Sequence, residues 1–270
     1  MTRAPAVAAL LLAMAATLAA GAAQARESVI TIPTRDDVTV SYILDAPDDA
    51  PKKAVAISFI GGFGQMHLEK HTQPLKFPKA MNALLRIRHQ LAGPDIADVI
   101  VDVPSDHQLG GMEDYFRGTA DHAADIRAVI ADVKKRFPDA KIFLIGTSRG
   151  TISAAHLGVS LHDLVAGTIL TSTVTHWDKM GTALSRFDFD TLKVPTLFIH
   201  HVNDGCATSP YAGVQALTAR FPVVSASGGD PPESGPCDPL APHGFWGLDA
   251  QVVAVMQDFM LGKSYPRSIP

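Results

Sequence analysis

The sequence of 270 residues predicts an α/β protein: one mostly parallel sheet, flanked by helices on both faces, in a single domain. Three observations carry that expectation. Short apolar, β-branched runs alternate with helical segments, as strand–crossover–strand units require. Two strand-like runs, 28–32 and 38–44, come first with no helix between them. Glycines, histidines and acids cluster directly after the apolar runs, where parallel sheets bind their ligands.

The elements follow in order. Residues 45–53 form a connection rich in Pro, Asp and Ala, and 55–60 is a continuous apolar run that reads as a buried strand. Residues 79–91 have helical periodicity, and 99–103 is a further short strand. The clearest helix spans 119–137, with Ile126, Val129, Ile130, Val133 and Phe137 on one stripe and Pro138 as its stop. Strands are expected at 141–145, 165–170, 196–200 and 223–224, and helices after Ser148, over 211–220 and over 251–261.

The first 25 residues read as a secretory signal. Arg3 gives a short basic start, 6–20 is almost wholly apolar, and Ala23-Gln24-Ala25 is a small-x-small cleavage site. A membrane anchor is the competing reading, but the run is short and Ala-rich. The expectation is export to the periplasm or beyond, cleavage after Ala25, and no stable membrane insertion afterwards. Residues 26–270 then form one domain. A net charge of -4 and an isoelectric point near 6.2 give no basic footprint, which argues against a nucleic-acid partner. The two cysteines, Cys206 and Cys237, are most simply a disulfide in an exported chain, the alternative being two free buried thiols.

The most specific motif is Gly146-Thr147-Ser148-Arg149-Gly150, directly behind the strand 141–145. Gly-x-Ser-x-Gly between strand and helix is a nucleophile elbow: a tight turn that presents the serine hydroxyl at the sheet's edge. With it, the chain resembles the α/β-hydrolase family over nearly all of 26–270. Ser148 matches the family's nucleophile, Asp204 after strand 196–200 its acid, and His243 before the last helix its base. Asp230 and Asp238 are nearer to His243 in sequence, but neither follows a strand. Gly61-Gly62-Phe63-Gly64 stands where the family often carries a His-Gly-Gly-type sequence, with Ile60 in place of the histidine. The resemblance implies an oxyanion hole from the backbone N–H of Gly62 or Phe63 together with that of Arg149. A Cys206–Cys237 bridge would then tether the loop of the base to the strand end of the acid.

Other polar and aromatic residues have plainer roles open to them. His67 and His71, with Glu69 between them, do not make His-Glu-x-x-His, so no metal is expected there. His107 faces either the pocket or solvent; His200 and His201 either support the acid or pack. The Arg149 side chain binds a substrate acid or makes a structural ion pair. Trp177 and Trp246 wall the pocket or belong to the core. Segments 65–94 and 105–118 are candidate pocket walls, with Gly110-Gly111 as a hinge. The stretch 171–193 is too short for a large cap, which implies an open, shallow site and soluble substrates. The resulting expectation is a cofactor-free serine hydrolase that cleaves small carboxylic esters through an acyl-enzyme. A peptidase, amidase or thioesterase on the same scaffold, or a binding protein that has lost turnover, are the alternatives.

Overall fold

A computed structural model of the chain describes residues 26–270; the expected signal segment, 1–25, lies outside the described residues. The described strands are β1 (Arg26–Arg35), β2 (Val38–Ala46), β3 (Ala54–Phe59), β4 (Ile96–Val101), β5 (Lys141–Thr147), β6 (Gly167–Thr171), β7 (Thr196–His201), β8 (Val223–Ala226) and β9 (Ser268–Ile269). They form one sheet in the order β1-β2-β4-β3-β5-β6-β7-β8-β9. The β1–β2 and β2–β4 pairings are antiparallel, and the remaining six are parallel.

Alternation within each strand divides the core into two layers. Val55, Ile57, Phe59, Ile142 and Leu144 face one layer; Ala54, Ala56, Phe143 and Ile145 face the other. The first layer is covered by α2 (Ala120–Arg136) and α3 (Gly150–Ser160), through Ile126, Val129, Val133, Ile152 and Leu157. The second is covered by α1 (Ala83–Leu91) and α5 (Asp249–Met260), through Leu84, Leu85, Leu91, Val252 and Met256. With both faces buried, the central strands read as continuous apolar runs rather than as alternating ones.

The expected elements are present, with instructive shifts in their bounds. Helix α1 starts at Ala83 because the Asn82 side-chain Oδ1 accepts the Leu84 N–H at 2.8 Å, a cap that overrides the longer periodicity. Strand β4 starts earlier than its apolar run because Asp98 is built into the sheet, its carboxylate accepting the Ser58 hydroxyl at 2.7 Å. Helix α4 (Tyr211–Gln215) is shorter than expected, with Gly213 lowering its helix propensity. Strand β9 is an addition that two residues of sequence do not announce.

At its two glycines the crossover from β5 into α3 leaves no room for a side chain. A Cβ on Gly150 would sit 2.0 Å from the Phe59 carbonyl oxygen, and one on Gly146 would sit 2.4 Å from the Gly150 carbonyl oxygen. Gly150→Ala is therefore expected to cost about 3 kcal/mol or more, because backbone must move to admit the methyl group. Thermal melting would show this as a drop of roughly 6–12 °C for a domain of this size.

Candidate active site

Ser148 occupies the turn between β5 and α3 with φ +52°, a left-handed conformation rare outside glycine. Such strain costs on the order of 1–3 kcal/mol and persists where surrounding contacts enforce it. Here the Ser148 N–H donates to the Thr171 carbonyl at 3.0 Å, and its own carbonyl accepts from the Thr151 N–H at 2.9 Å and the Thr151 hydroxyl at 2.6 Å.

Asp204 follows β7, and its side chain is fully buried. Its Oδ2 lies 2.9 Å from His243 Nδ1, accepts the Ser209 hydroxyl at 3.0 Å and lies 3.3 Å from His200 Nε2. Its Oδ1 accepts the Cys206 N–H at 2.9 Å. Burial alone would raise the carboxyl's pKa, but the hydrogen bonds from His200 and His243 outweigh it and hold the group below the usual carboxylate range. Asp204 is thus an ionised acceptor, so His243 carries its proton on Nδ1 and offers a lone pair at Nε2. That Nε2 is buried and has no hydrogen-bond partner among the described residues.

His243 lies in a 3-10 turn, Pro242–Gly244, that is anchored from two sides. The Ser172 hydroxyl donates to the His243 carbonyl at 2.5 Å. The Arg86 guanidinium donates to the Pro239 carbonyl at 2.9 Å and the Gly244 carbonyl at 2.7 Å while pairing with Asp249 at 2.7 Å. Ser172, Ser209 and Arg86 escaped the sequence reading; no motif or spacing marks them.

Ser148 and His243 line one open cleft of about 190 Å³, together with Gly61, Gly62, Met81, Asn82 and the stretch 237–239. Gly61 faces the serine so closely that a Cβ there would lie 2.9 Å from Ser148 Cβ. The N–H groups of Gly62, Phe63 and Arg149 have no acceptor among the described residues. Cys206 and Cys237 form a disulfide with Cα atoms 4.5 Å apart, tying this wall of the cleft to the residue whose N–H bonds Asp204.

The remaining candidates settle into supporting places. The Arg149 side chain is mostly buried and paired with both Asp114 and Asp178, the structural alternative of the two foreseen. His200 reaches Asp204, whereas His201 bonds the Gly228 carbonyl at 3.2 Å. His107 stacks on Phe116 with ring centres 3.8 Å apart and does not line the cleft. His67 bonds Gln108 and His71 the Met66 carbonyl, and among the described residues no group of three or more His, Cys, Asp or Glu is placed to hold a metal. Segment 65–94 does supply a wall through residues 80–83, but 105–118 does not. Gly111 packs on Phe63, and the next N–H, of Met112, donates to the Phe63 carbonyl at 2.8 Å, whereas Gly110 has open space around its Cα. Asp238 lines the cleft without bonding His243.

The family model described as serine aminopeptidase, S33, matches residues 81–220, over half of the chain. The chain belongs to this α/β-hydrolase family. Among solved structures, the hydrolase fold is shared with Est1E from Butyrivibrio proteoclasticus, with a TM-score of 0.60 and 14% identity over 87% of this chain and 98% of that one. It is shared with an α/β serine hydrolase without a lid from Xanthomonas campestris, at TM-score 0.56 and 16% identity over 87% and 94% of the two chains. Dienelactone hydrolase from Anabaena variabilis aligns at TM-score 0.60 and 13% identity over 89% and 99%. At these identities the likeness is one of fold. No curated protein matches the chain in sequence.

The disulfide closes a loop of 31 residues, for which chain entropy predicts roughly 3–4 kcal/mol of stabilisation. The double variant Cys206→Ala/Cys237→Ala is expected to melt earlier by a corresponding margin. Reductant should lower the melting temperature of the wild type and leave that of the variant unchanged.

Proposed function

We propose that the protein is a serine hydrolase cleaving carboxylic esters through an acyl-enzyme. One observation carries this reading: His243 Nδ1 is fixed by Asp204, while Nε2 lies buried and unpartnered in the cleft that also holds the Ser148 hydroxyl. A buried ring nitrogen without a partner is costly unless a reacting group fills the place. In the proposed cycle Nε2 takes the proton of Ser148 Oγ as the oxygen attacks the ester carbonyl carbon. The imidazolium is stabilised by Asp204 and returns the proton to the leaving alkoxide. Water, deprotonated by the same nitrogen, then releases the acid and restores Ser148. The N–H groups of the Gly61–Gly64 loop and of Arg149 are assigned to the developing oxyanion.

The surroundings favour an uncharged, apolar ester. Arg149 is already committed to Asp114 and Asp178, so its cation is not offered to a substrate acid. Phe63, Leu109, Tyr115, Trp177 and Met180 are exposed on loops that are joined around the elbow by the Phe63–Met112 bond and the Arg149 ion pairs. Trp177 and Met180 line a second hollow of about 420 Å³, whose other walls include Asp178, Lys179, Thr182 and Arg186. Asp238 favours a second reading, aminopeptidase action, because a cleft-lining carboxylate can hold a substrate ammonium group. Export is part of the proposal: a disulfide suits an oxidising compartment, and no helix among the described residues is long and apolar enough to cross a membrane.

A fluorophosphonate should modify Ser148 stoichiometrically, as mapped by mass spectrometry, and Ser148→Ala should lose both labelling and at least on the order of 10⁴-fold in ester turnover. An unlabelled but folded wild type would sink the hydrolase reading. Turnover of aminoacyl p-nitroanilides that falls in Asp238→Asn, without ester turnover, would favour the peptidase. Trp177→Ala is expected to raise KM about tenfold for aromatic or hexanoyl p-nitrophenyl esters, a loss of about 1.4 kcal/mol of apolar contact, and to leave acetate esters nearly unchanged.

A further inference from the structure

Arg117 heads the fully buried side chains by size. It lies in a 3-10 turn, Phe116–Gly118, just before α2. Its Nη2 donates to the Gly62 carbonyl at 2.9 Å and its Nη1 to the Ser153 hydroxyl, on α3, at 3.0 Å. Among the described residues no carboxylate lies within ion-pair distance of it. Burial pushes the guanidinium down to about 10, with Asp114 opposing, so it remains a cation at neutral pH. The neighbouring His122 supplies no counter-charge; burial and the charge of Arg117 hold it neutral, with its pKa pushed down to about 3. A buried cation without a paired anion is expensive, and an apolar side chain of similar volume would fill the space at lower cost.

What the charge touches explains its presence. The Gly62 carbonyl and the Phe63 N–H belong to one peptide unit, which is trans, since the cis bond among the described residues is Gln73–Pro74. In a planar trans unit the C=O and the N–H point in opposite directions. With the carbonyl turned into the protein towards Arg117, the Phe63 N–H is turned away from Arg117, and it directly follows Gly61 and Gly62, which line the cleft. Two further bonds lock the unit: Gly64 N–H to the Gly61 carbonyl at 3.2 Å, and Met112 N–H to the Phe63 carbonyl at 2.8 Å. A cation at the carbonyl also draws electrons from the amide nitrogen and strengthens its N–H as a donor.

We propose that Arg117 is a positioning residue: through the Gly62 carbonyl it aims and strengthens the Phe63 N–H as the oxyanion donor of this loop, opposite the N–H of Arg149. The inference rests on Ser148 being the nucleophile of acyl transfer. It selects Phe63 over Gly62 and gives Ser153 a part, since Arg117 spans from the loop to the helix that follows the nucleophile.

The test compares Arg117→Met, Arg117→Lys and Ser153→Ala on p-nitrophenyl acetate, and measures binding of an aryl trifluoromethyl ketone that mimics the tetrahedral adduct. In Arg117→Met, kcat should fall about ten- to a hundredfold with KM little changed, and ketone affinity should fall by the same factor. Arg117→Lys should recover part of both. Folded Arg117→Met with wild-type kcat and ketone affinity would overturn the proposal. A wild-type arm needs no buried substitution: with amide signals assigned, the Phe63 proton should move downfield when the ketone adds to Ser148. Adduct formation that leaves Phe63 in place, or moves Gly62 instead, would overturn the proposal. Wild type that neither turns over esters nor forms the adduct overturns the Ser148 reading, and this inference with it.

Discussion

Where β3 ends, the Phe59 carbonyl oxygen lies against the Cα of Gly150, with no space for even a methyl group between them. This contact seats the first turn of α3 on the start of the Gly61–Gly64 loop. Much of the cleft follows from it. Gly61 is brought against Ser148, and the Gly62 carbonyl comes within reach of an arginine that also holds α3. The left-handed turn at Ser148 is tolerated because Thr171 and Thr151 satisfy its backbone on both sides. Packing here sets the distance between hydroxyl and loop, and hydrogen bonds keep it.

The charges around the cleft are each held by a different means. Asp204 is kept ionised by donors that converge on it from β7, from Ser209 and from the loop of His243. Arg149 and Arg86 are matched with carboxylates, and Arg86 spends its remaining donors on the carbonyls of the His243 loop. Arg117 is hydrogen-bonded to a carbonyl and a hydroxyl, with the Asp114 carboxylate acting on it beyond ion-pair distance. Groups held in this way are what an electrostatically preorganised site requires.

Ser148, Asp204 and His243 were legible because each follows a recognisable local pattern: a Gly-x-Ser-x-Gly turn, an acid after a strand, a histidine before the last helix. The cysteine pair was legible from number and context. Ser209, Ser172, Arg86 and Arg117 were not: Ser209 lies five positions from Asp204 but belongs to no motif, and the partners of the other three lie 36 to 163 positions away, so nothing local distinguishes them from surface polar residues. The misplaced bounds have the same origin. Asp98 interrupts the apolar run of β4 and is accommodated by Ser58 from the next strand. Asn82 ends the helical pattern of α1 by capping it. In both cases one side-chain hydrogen bond overrides periodicity.

Strand β9 has a bearing on how the molecule behaves in company. Its two residues, between Pro266 and Pro270, pair with Ser225 and Ala226 along β8, and the Ser227 N–H closes on the Ile269 carbonyl at 2.8 Å. Without it, the row of amide and carbonyl groups on β8 would be an open template for a strand from a neighbouring molecule. Two residues suffice to occupy the template, and the flanking prolines lack the N–H that would let pairing spread further. The short strand thus shields this edge of the sheet, the one opposite β1, against pairing with a neighbouring molecule.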